Sequence, residues 1–323
     1  MSLGYRTARI LLKARPTPRQ LADRLTPPLP EGLELYLDGR DIATAEARRN
    51  VVELMKSYSL PADFAVVVEG PIRGLDSEYF DLADLRPANF ELLERLAELG
   101  AAVGAAGLVI HAIVPRFQLA WDAAERDAVL ERCLELLHAY AAAAAVHGLV
   151  PTLENVPPVL RMRESRYLYT PIGMSPEDVV WLLDRTPGLQ ATLDVSHAQL
   201  YVNAREQAAQ GTESDEPAPE PAIEALYAYL RHLPPAPGVE RFVDALDGRL
   251  FEVHVSNAEG LLGEGLPYGE GDMDLDRLIR RLARIARFLV TETLEPNHDQ
   301  ATYMREAQAR MSAALQSPAG ESC

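Results

Sequence analysis

Residues 289–299 read LVTETLEPNHD. The first three make a short apolar, β-branched run of the kind that fills a buried strand. Yet Glu292 lies on that run and Glu295 just beyond it. A carboxylate there is costly unless something partners it. The stretch is also the last of eight. RILLK (9–13), LELYL (33–37), FAVVVEG (64–70), LVIHAIV (108–114), VPTLEN (150–155), LQATLDV (189–195), LFEVHVS (250–256) and FLVTET (288–293) all read as strands. Several are continuously apolar, as expected of parallel strands covered on both faces. Helical patterns lie between them, including AEARRNVVELMKSY, NFELLERLAELG, AAERDAVLERCLELLHAYAAAA, PEDVVWLLDR and LDRLIRRLARIA, with apolar residues recurring at three and four. Ser175-Pro176-Glu177-Asp178 begins one helix with a Ser cap, a first-turn Pro and an acid at the capping-box position. Eight alternations with right-handed crossovers predict an α/β fold, a single (β/α)8 barrel. An open doubly wound sheet is the alternative, but no G-x-G-x-x-G follows an early strand.

The chain of 323 residues suits one such barrel with insertions, so residues 1–323 are expected to form a single domain. Between the sixth and seventh strands the rhythm breaks at QGTESDEPAPEPA (210–222) and PPAPG (234–238). This acidic, Pro-rich stretch predicts an insertion or loop over 202–246, holding one short helix, AIEALYAYLRHL. Residues 312–323 are expected to be a flexible tail. The net charge of −17 argues against nucleic acid and against an anionic membrane surface as partners. No apolar run is long enough to span a bilayer, and the start lacks a signal-peptide segment. Cys133 and Cys323 have no metal-type spacing, so a reducing, cytoplasmic location is expected.

In a barrel, polar residues at the C-terminal ends of strands are functional by default. His111, Glu154, Asp194, His197, His254 and Glu292 fall there, with Glu295 just beyond. Histidines and several carboxylates converging on one barrel mouth fit a divalent metal site, because a cation makes clustered buried carboxylates tolerable. His138, His147, His232 and His298 lie on helices or in turns and are expected to be structural. The GEGD turn (269–272) leads into an Asp-capped helix and needs no phosphate to explain it.

LEN, LDVSH, VHVSN, GLPYGEGDMDLDRL and the terminal-strand glutamate, in that order, resemble the xylose isomerase-like TIM-barrel superfamily over roughly residues 30–310. That superfamily includes sugar and sugar-phosphate isomerases and epimerases and the endonuclease IV type of AP endonuclease. The resemblance implies one divalent ion (Mn²⁺, Mg²⁺, Co²⁺ or Zn²⁺) held by Glu154, Asp194, His254 and Glu292. It makes Glu154 and Glu292 the catalytic proton carriers and puts His197 and His111 against substrate. Glu292 is preferred to Glu295 because it follows the apolar run as the family's last glutamate does, while Glu295 precedes Pro296. The endonuclease members need three zinc ions. Here Glu69 stands where they carry a histidine, and GEGLPYGEG lacks their Asp-x-His pair, so only one full metal site can be counted. Glu69 is expected to touch substrate or pair with an arginine.

The expected activity is therefore a divalent-metal-dependent sugar or sugar-phosphate isomerase or epimerase. The alternatives are an inosose-type dehydratase, a disfavoured metal-dependent phosphodiesterase, and an inactive sugar-binding barrel. The expected partner is a carbohydrate or polyol. Arg73, Arg116, Arg161, Arg163 and Arg166, in the loops after the third, fourth and fifth strands, are expected to face the mouth. That would favour an anionic substrate. Assembly into a homo-oligomer is left open.

Overall fold

The structure, a computed structural model, describes residues 8–117, 119, 123–161, 167–210, 221–234 and 238–316. Eight strands close a barrel: β1 (Arg9–Ala14), β2 (Gly32–Tyr36), β3 (Ala65–Glu69), β4 (Gly107–His111), β5 (Val150–Glu154), β6 (Gln190–Asp194), β7 (Leu250–Val255) and β8 (Phe288–Thr291). Each pairs in parallel with its sequence neighbours, and β8 closes onto β1 through Arg9–Phe288 and Leu12–Thr291. Helices follow every strand and cover the outside. The fold is a TIM barrel.

Side-chain alternation explains why the strands look apolar throughout. Ile10, Leu12, Leu33, Leu35, Val66, Val68, Leu108, Ile110, Leu193 and Val253 point outward and pack under the helices. Leu11, Val67, Val109 and Val290 point inward and, with Phe251 and Phe288, fill the barrel floor. The two rings meet edge to face at 5.3 Å. Phe251 is the extra residue of a β-bulge: Ala191 pairs with Leu250, but Thr192 pairs with Glu252. The bulge lets Phe251 reach the floor while Glu252 and His254, on the next steps, face the interior above it. Gly107 is the counterpart of that ring, since a Cβ there would lie 2.5 Å from it.

The helix at Pro176–Arg185 starts as its sequence predicts, with Ser175 Oγ accepting from Asp178 N at 3.2 Å. The carboxylate of Asp178 does not complete a capping box; it turns to Arg126. The described residues of the 202–246 stretch are largely helical. A helix runs directly from β6 over Val195–Gln210, and two more span Pro221–Leu230 and Glu240–Leu246. Leu226, Leu230, Phe242 and Leu246 are buried, and Tyr201 meets Phe242 at 5.8 Å. The acidic, Pro-rich residues 211–220, and residues 235–237, lie outside the described set. The last helix, Thr302–Gln316, likewise runs through the start of the expected tail, because Met311 and Ala314 are buried; residues 317–323 lie outside the described set.

Two antiparallel hairpins rise at the C-terminal end of the barrel, Val159–Arg161 with Tyr167–Tyr169 and Asn257–Glu259 with Gly263–Leu266. Among the described residues, no helix is long and apolar enough to cross a membrane.

Candidate metal centre

Four consecutive strands deliver one polar side chain each to a common point. Glu154 ends β5, Asp194 ends β6, His254 lies on β7, and Glu292 follows the last paired residue of β8. One donor atom from each lies within 4.8 Å of the others. His254 Nδ1 is 2.6 Å from Glu292 Oε2 and 3.5 Å from Glu154 Oε1. Both oxygens of Glu154, Nδ1 of His254 and Oε2 of Glu292 are buried and make no directed hydrogen bond. Such atoms are costly without a partner. Three carboxylates and an imidazole aimed at one point match the donor preferences of divalent ions such as Mn²⁺, Co²⁺ and Zn²⁺. The residues fit a metal ion.

Further side chains hold the donors. Glu34, fully buried on β2, lies 2.8 Å from His254 Nε2. With Nε2 turned to Glu34, Nδ1 faces Glu154 and Glu292, the orientation a metal-binding histidine requires once an ion displaces its Nδ1 proton. Glu252 Oε1 lies 3.3 Å from the same nitrogen. Asn155 fixes β5 to β6, accepting from Asp194 N at 2.8 Å and donating to Asp194 O at 3.0 Å. His197 Nδ1 lies 3.0 Å from Asn155 O, which points its Nε2 toward Glu264 at 3.8 Å. His111 Nε2 bridges Glu69 (3.2 Å) and Glu154 (3.4 Å). Lys13, 5% exposed at the end of β1, sets its ammonium against Glu69 and Glu292 and 3.4 Å from Glu34.

Burial opposes charge on every one of these groups, and neighbours decide the outcome. Burial raises Glu154, but His111 and His254 overcome it and hold the carboxylate well below its usual range. Glu292 is likewise held low, burial being outweighed by Lys13 and His254. Burial raises Glu252, which has Glu34 beside it, well above the usual carboxylate range. Asp194 is pushed up to about 7 by burial, which His197 only partly offsets. His197 rises to about 10, because Asp194 and Glu154 outweigh its burial.

A cavity of about 300 Å³ opens above these groups. Lys13, Glu69, His111, Asp194, His197 and Glu292 line its floor, and Leu160, Glu264 and Gly265 of the two hairpins line its mouth. The volume suits a small-molecule ligand. The sequence model of the xylose isomerase-like TIM barrel matches residues 31–314. The chain belongs to that family.

Solved structures of similar shape share the barrel at low identity. A D-tagatose 3-epimerase-like protein is 14% identical, with 94% of this chain and 97% of that one covered and a TM-score of 0.64. The apo form of 3-keto-D-glucoside 4-epimerase, YcjR, from E. coli is 17% identical, with 95% of this chain and 99% of that one covered and a TM-score of 0.57. Endonuclease IV from Thermus thermophilus is 15% identical over 94% of this chain and 99% of that one, with a TM-score of 0.53. Among curated proteins, none matches the chain by sequence.

Within this xylose isomerase-like barrel, the two acids of the terminal strand part company. Glu292 enters the cavity floor, whereas Glu295 accepts from Tyr303 N (3.1 Å) and Met304 N (2.8 Å) and caps the last helix. Glu69, His111 and His197 reach the cavity. Arg116 does not line it: its guanidinium lies 3.1 Å from Asp81, an acid supplied by the neighbouring loop. Arg73 stacks on Tyr79 and bonds Ser77 O. The Arg161 side chain, Arg163 and Arg166 lie outside the described residues. The arginine that does line the cavity is Arg24, bonded to the carbonyls of Lys13 and His298. His298, read as structural, stands at the rim.

Four residues that the sequence reading passed over belong to the centre: Lys13, Glu34, Glu252 and Glu264. Three of them lie within strand runs the sequence shows, Lys13 in RILLK, Glu34 in LELYL and Glu252 in LFEVHVS. Glu34, Glu69 and His254 form a second group able to hold an ion, and Glu69, His111 and Glu154 a third, both sharing residues with the first.

Proposed function

We propose that the protein is a divalent-metal-dependent isomerase or epimerase of a carbohydrate or polyol, working by proton transfer through Glu154 and Glu292. One observation carries the reading. Glu154 and Glu292, from the first and last of four consecutive strands, are both held below the usual carboxylate range within one four-donor set, and Glu292 and Asp194 of that set line a cavity of about 300 Å³. The epimerase names of similar folds support it.

An ion held by Glu154, Asp194, His254 and Glu292 would polarise the carbonyl of a hydroxy-ketone and ease loss of the adjacent proton. The protein's own groups do the rest. An ionised carboxylate can accept that proton, and a second one approaching from another strand can return a proton to the substrate. In the ion-free chain Lys13 and His254 hold Glu292 low, and His111 and His254 hold Glu154 low, so both carboxylates are ionised and ready to take an ion. His197, anchored through Nδ1, presents Nε2 at the cavity and can donate to a substrate oxygen. The apolar residues Ile72, Ile113, Val156 and Leu160 along the cavity wall limit water around the transfer.

His197, held through Nδ1 with Nε2 at the cavity, favours one second reading: donation to a leaving hydroxyl would make the same pair a dehydratase. The test is a panel of keto-sugars and keto-polyols incubated in D₂O with Mn²⁺-loaded protein and followed by NMR. Exchange of the proton beside the carbonyl, lost at least about 100-fold in Glu154→Gln, is expected. Exchange accompanied by loss of water assigns the dehydratase. An ion-loaded protein that exchanges no member of the panel overturns both and leaves a binding barrel.

A further inference from the structure

We propose that the Lys13 ammonium is a built-in second cation of the centre, seated where the carboxylates of Glu34, Glu69 and Glu292 would otherwise hold a second divalent ion. The inference rests on the metal-dependent reading above and explains why the chain would bind one ion rather than two.

The geometry is that of a cation in a carboxylate cage. Lys13 reaches three acids from three strands: Glu69 Oε2, Glu292 Oε1 and, at 3.4 Å, Glu34 Oε1. Glu34 and Glu69 also belong to a group, with His254, whose donor atoms lie within 4.8 Å of one another. Without the lysine, that group meets the same description as the four-residue set beside it. Glu292 joins the two halves. Its Oε1 faces Lys13 and its Oε2 faces His254 Nδ1, so the carboxylate bridges ammonium and metal position as it would bridge two metals. The ammonium delivers one positive charge where an ion would deliver two, and its three N–H donors match the three carboxylates.

The composition makes the choice of residue informative. Of 31 Lys and Arg residues only two, Lys13 and Lys56, are lysine. A chain that uses arginine nearly everywhere keeps a lysine beside two buried acids, Glu34 and Glu69, and the partly buried Glu292. A guanidinium is a planar fork suited to pairing side-on with one carboxylate. A compact ammonium is the side-chain cation closest to a point charge, which is what a cage of converging oxygens requires.

The experiment counts Mn²⁺ bound per chain, by equilibrium dialysis and by the loss of the free-ion EPR signal, in the wild type and in Lys13→Met, which keeps length and loses charge. One ion in the wild type and two in Lys13→Met is expected, the second binding at least about 100-fold more tightly than any second ion in the wild type. Lys13→Met/Glu69→Gln should return the count to one. A wild type that binds two ions, or a Lys13→Met protein that still binds one, overturns the proposal and leaves the metal-dependent reading standing. A wild type that binds none overturns both. If Lys13→Met is unfolded without metal, circular dichroism should show recovery on adding two equivalents of Mn²⁺. A chain that no Mn²⁺ concentration recovers refutes the equivalence of ammonium and ion.

Discussion

Exchanging each acid of LVTETLEPNHD for its amide separates their two roles. Glu292 Oε2 stands 2.6 Å from His254 Nδ1 within the four-donor set, so Glu292→Gln removes one charged donor of four. Removing a side chain that merely supports a metal ligand lowers affinity about 10–100-fold. Losing the donor itself should exceed about 100-fold, or about 2.7 kcal/mol. Glu295 is buried at 6% exposure and accepts two backbone N–H groups at the start of the last helix. A cap of this kind is worth about 1 kcal/mol, and its charge at the helix N-terminus adds roughly 0.3–1 kcal/mol. Gln keeps the shape and one acceptor, so Glu295→Gln should cost about 1 kcal/mol, or about 2 °C in Tm for a chain of this size. The assay is a calorimetric titration of Mn²⁺ into metal-free protein, with melts recorded on the same samples. Glu292→Gln should lose binding, and Glu295→Gln should melt earlier with its Mn²⁺ affinity unchanged. Weakened binding in Glu295→Gln with normal binding in Glu292→Gln would show that the wrong acid has been placed at the metal.

Three further perturbations probe the surroundings. Glu34→Gln removes the charge that orients His254 through Nε2, and should weaken Mn²⁺ about 10–100-fold without unfolding the barrel; an unchanged affinity would remove Glu34 from the centre. Gly107→Ala drives a methyl to 2.5 Å from the Phe251 ring and should cost about 1–3 kcal/mol in urea unfolding, partly recovered by adding Phe251→Leu; a cost below about 0.5 kcal/mol would mean the floor is loosely packed. Asp178, buried with one oxygen lacking a hydrogen bond, is pushed up by burial to about 6, only partly offset by Arg126. Its folded value exceeds the usual 3.8, so the stability it contributes is complete below about pH 4 and lost as pH rises through about 6, about 3 kcal/mol in all. Asp178→Asn should abolish that fall, and parallel wild-type and variant curves between pH 4 and 7 would contradict it.

What the sequence made legible follows from how a barrel is built. Parallel strands place all their C-terminal ends on one rim, so any charge ending an apolar run identifies itself as a rim residue. His111, Glu154, Asp194, His254 and Glu292 were readable for that reason. Glu252 was not, although it lies two positions before His254, because a strand with two consecutive inward steps needs its bulge to be known first. Glu34 hid in the alternation of LELYL, which looks like an ordinary half-exposed strand. Arg116 does not line the cavity because the neighbouring loop supplies an acid, Asp81, that takes its guanidinium.

Lys13 is the instructive case. Nothing near it in sequence can balance its charge, and its contact with Glu292 spans 279 positions. Only closure of β8 onto β1 brings the two together. The same closure that makes the barrel therefore sets the charge of its mouth. A cation fixed by covalent attachment to β1 cannot be diluted or chelated away, so one half of the centre is compensated before any metal arrives. The side left open is the one that converges on His254 Nδ1, where both oxygens of Glu154 and the second oxygen of Glu292 make no directed hydrogen bond, and it is there that an added ion has the most to stabilise.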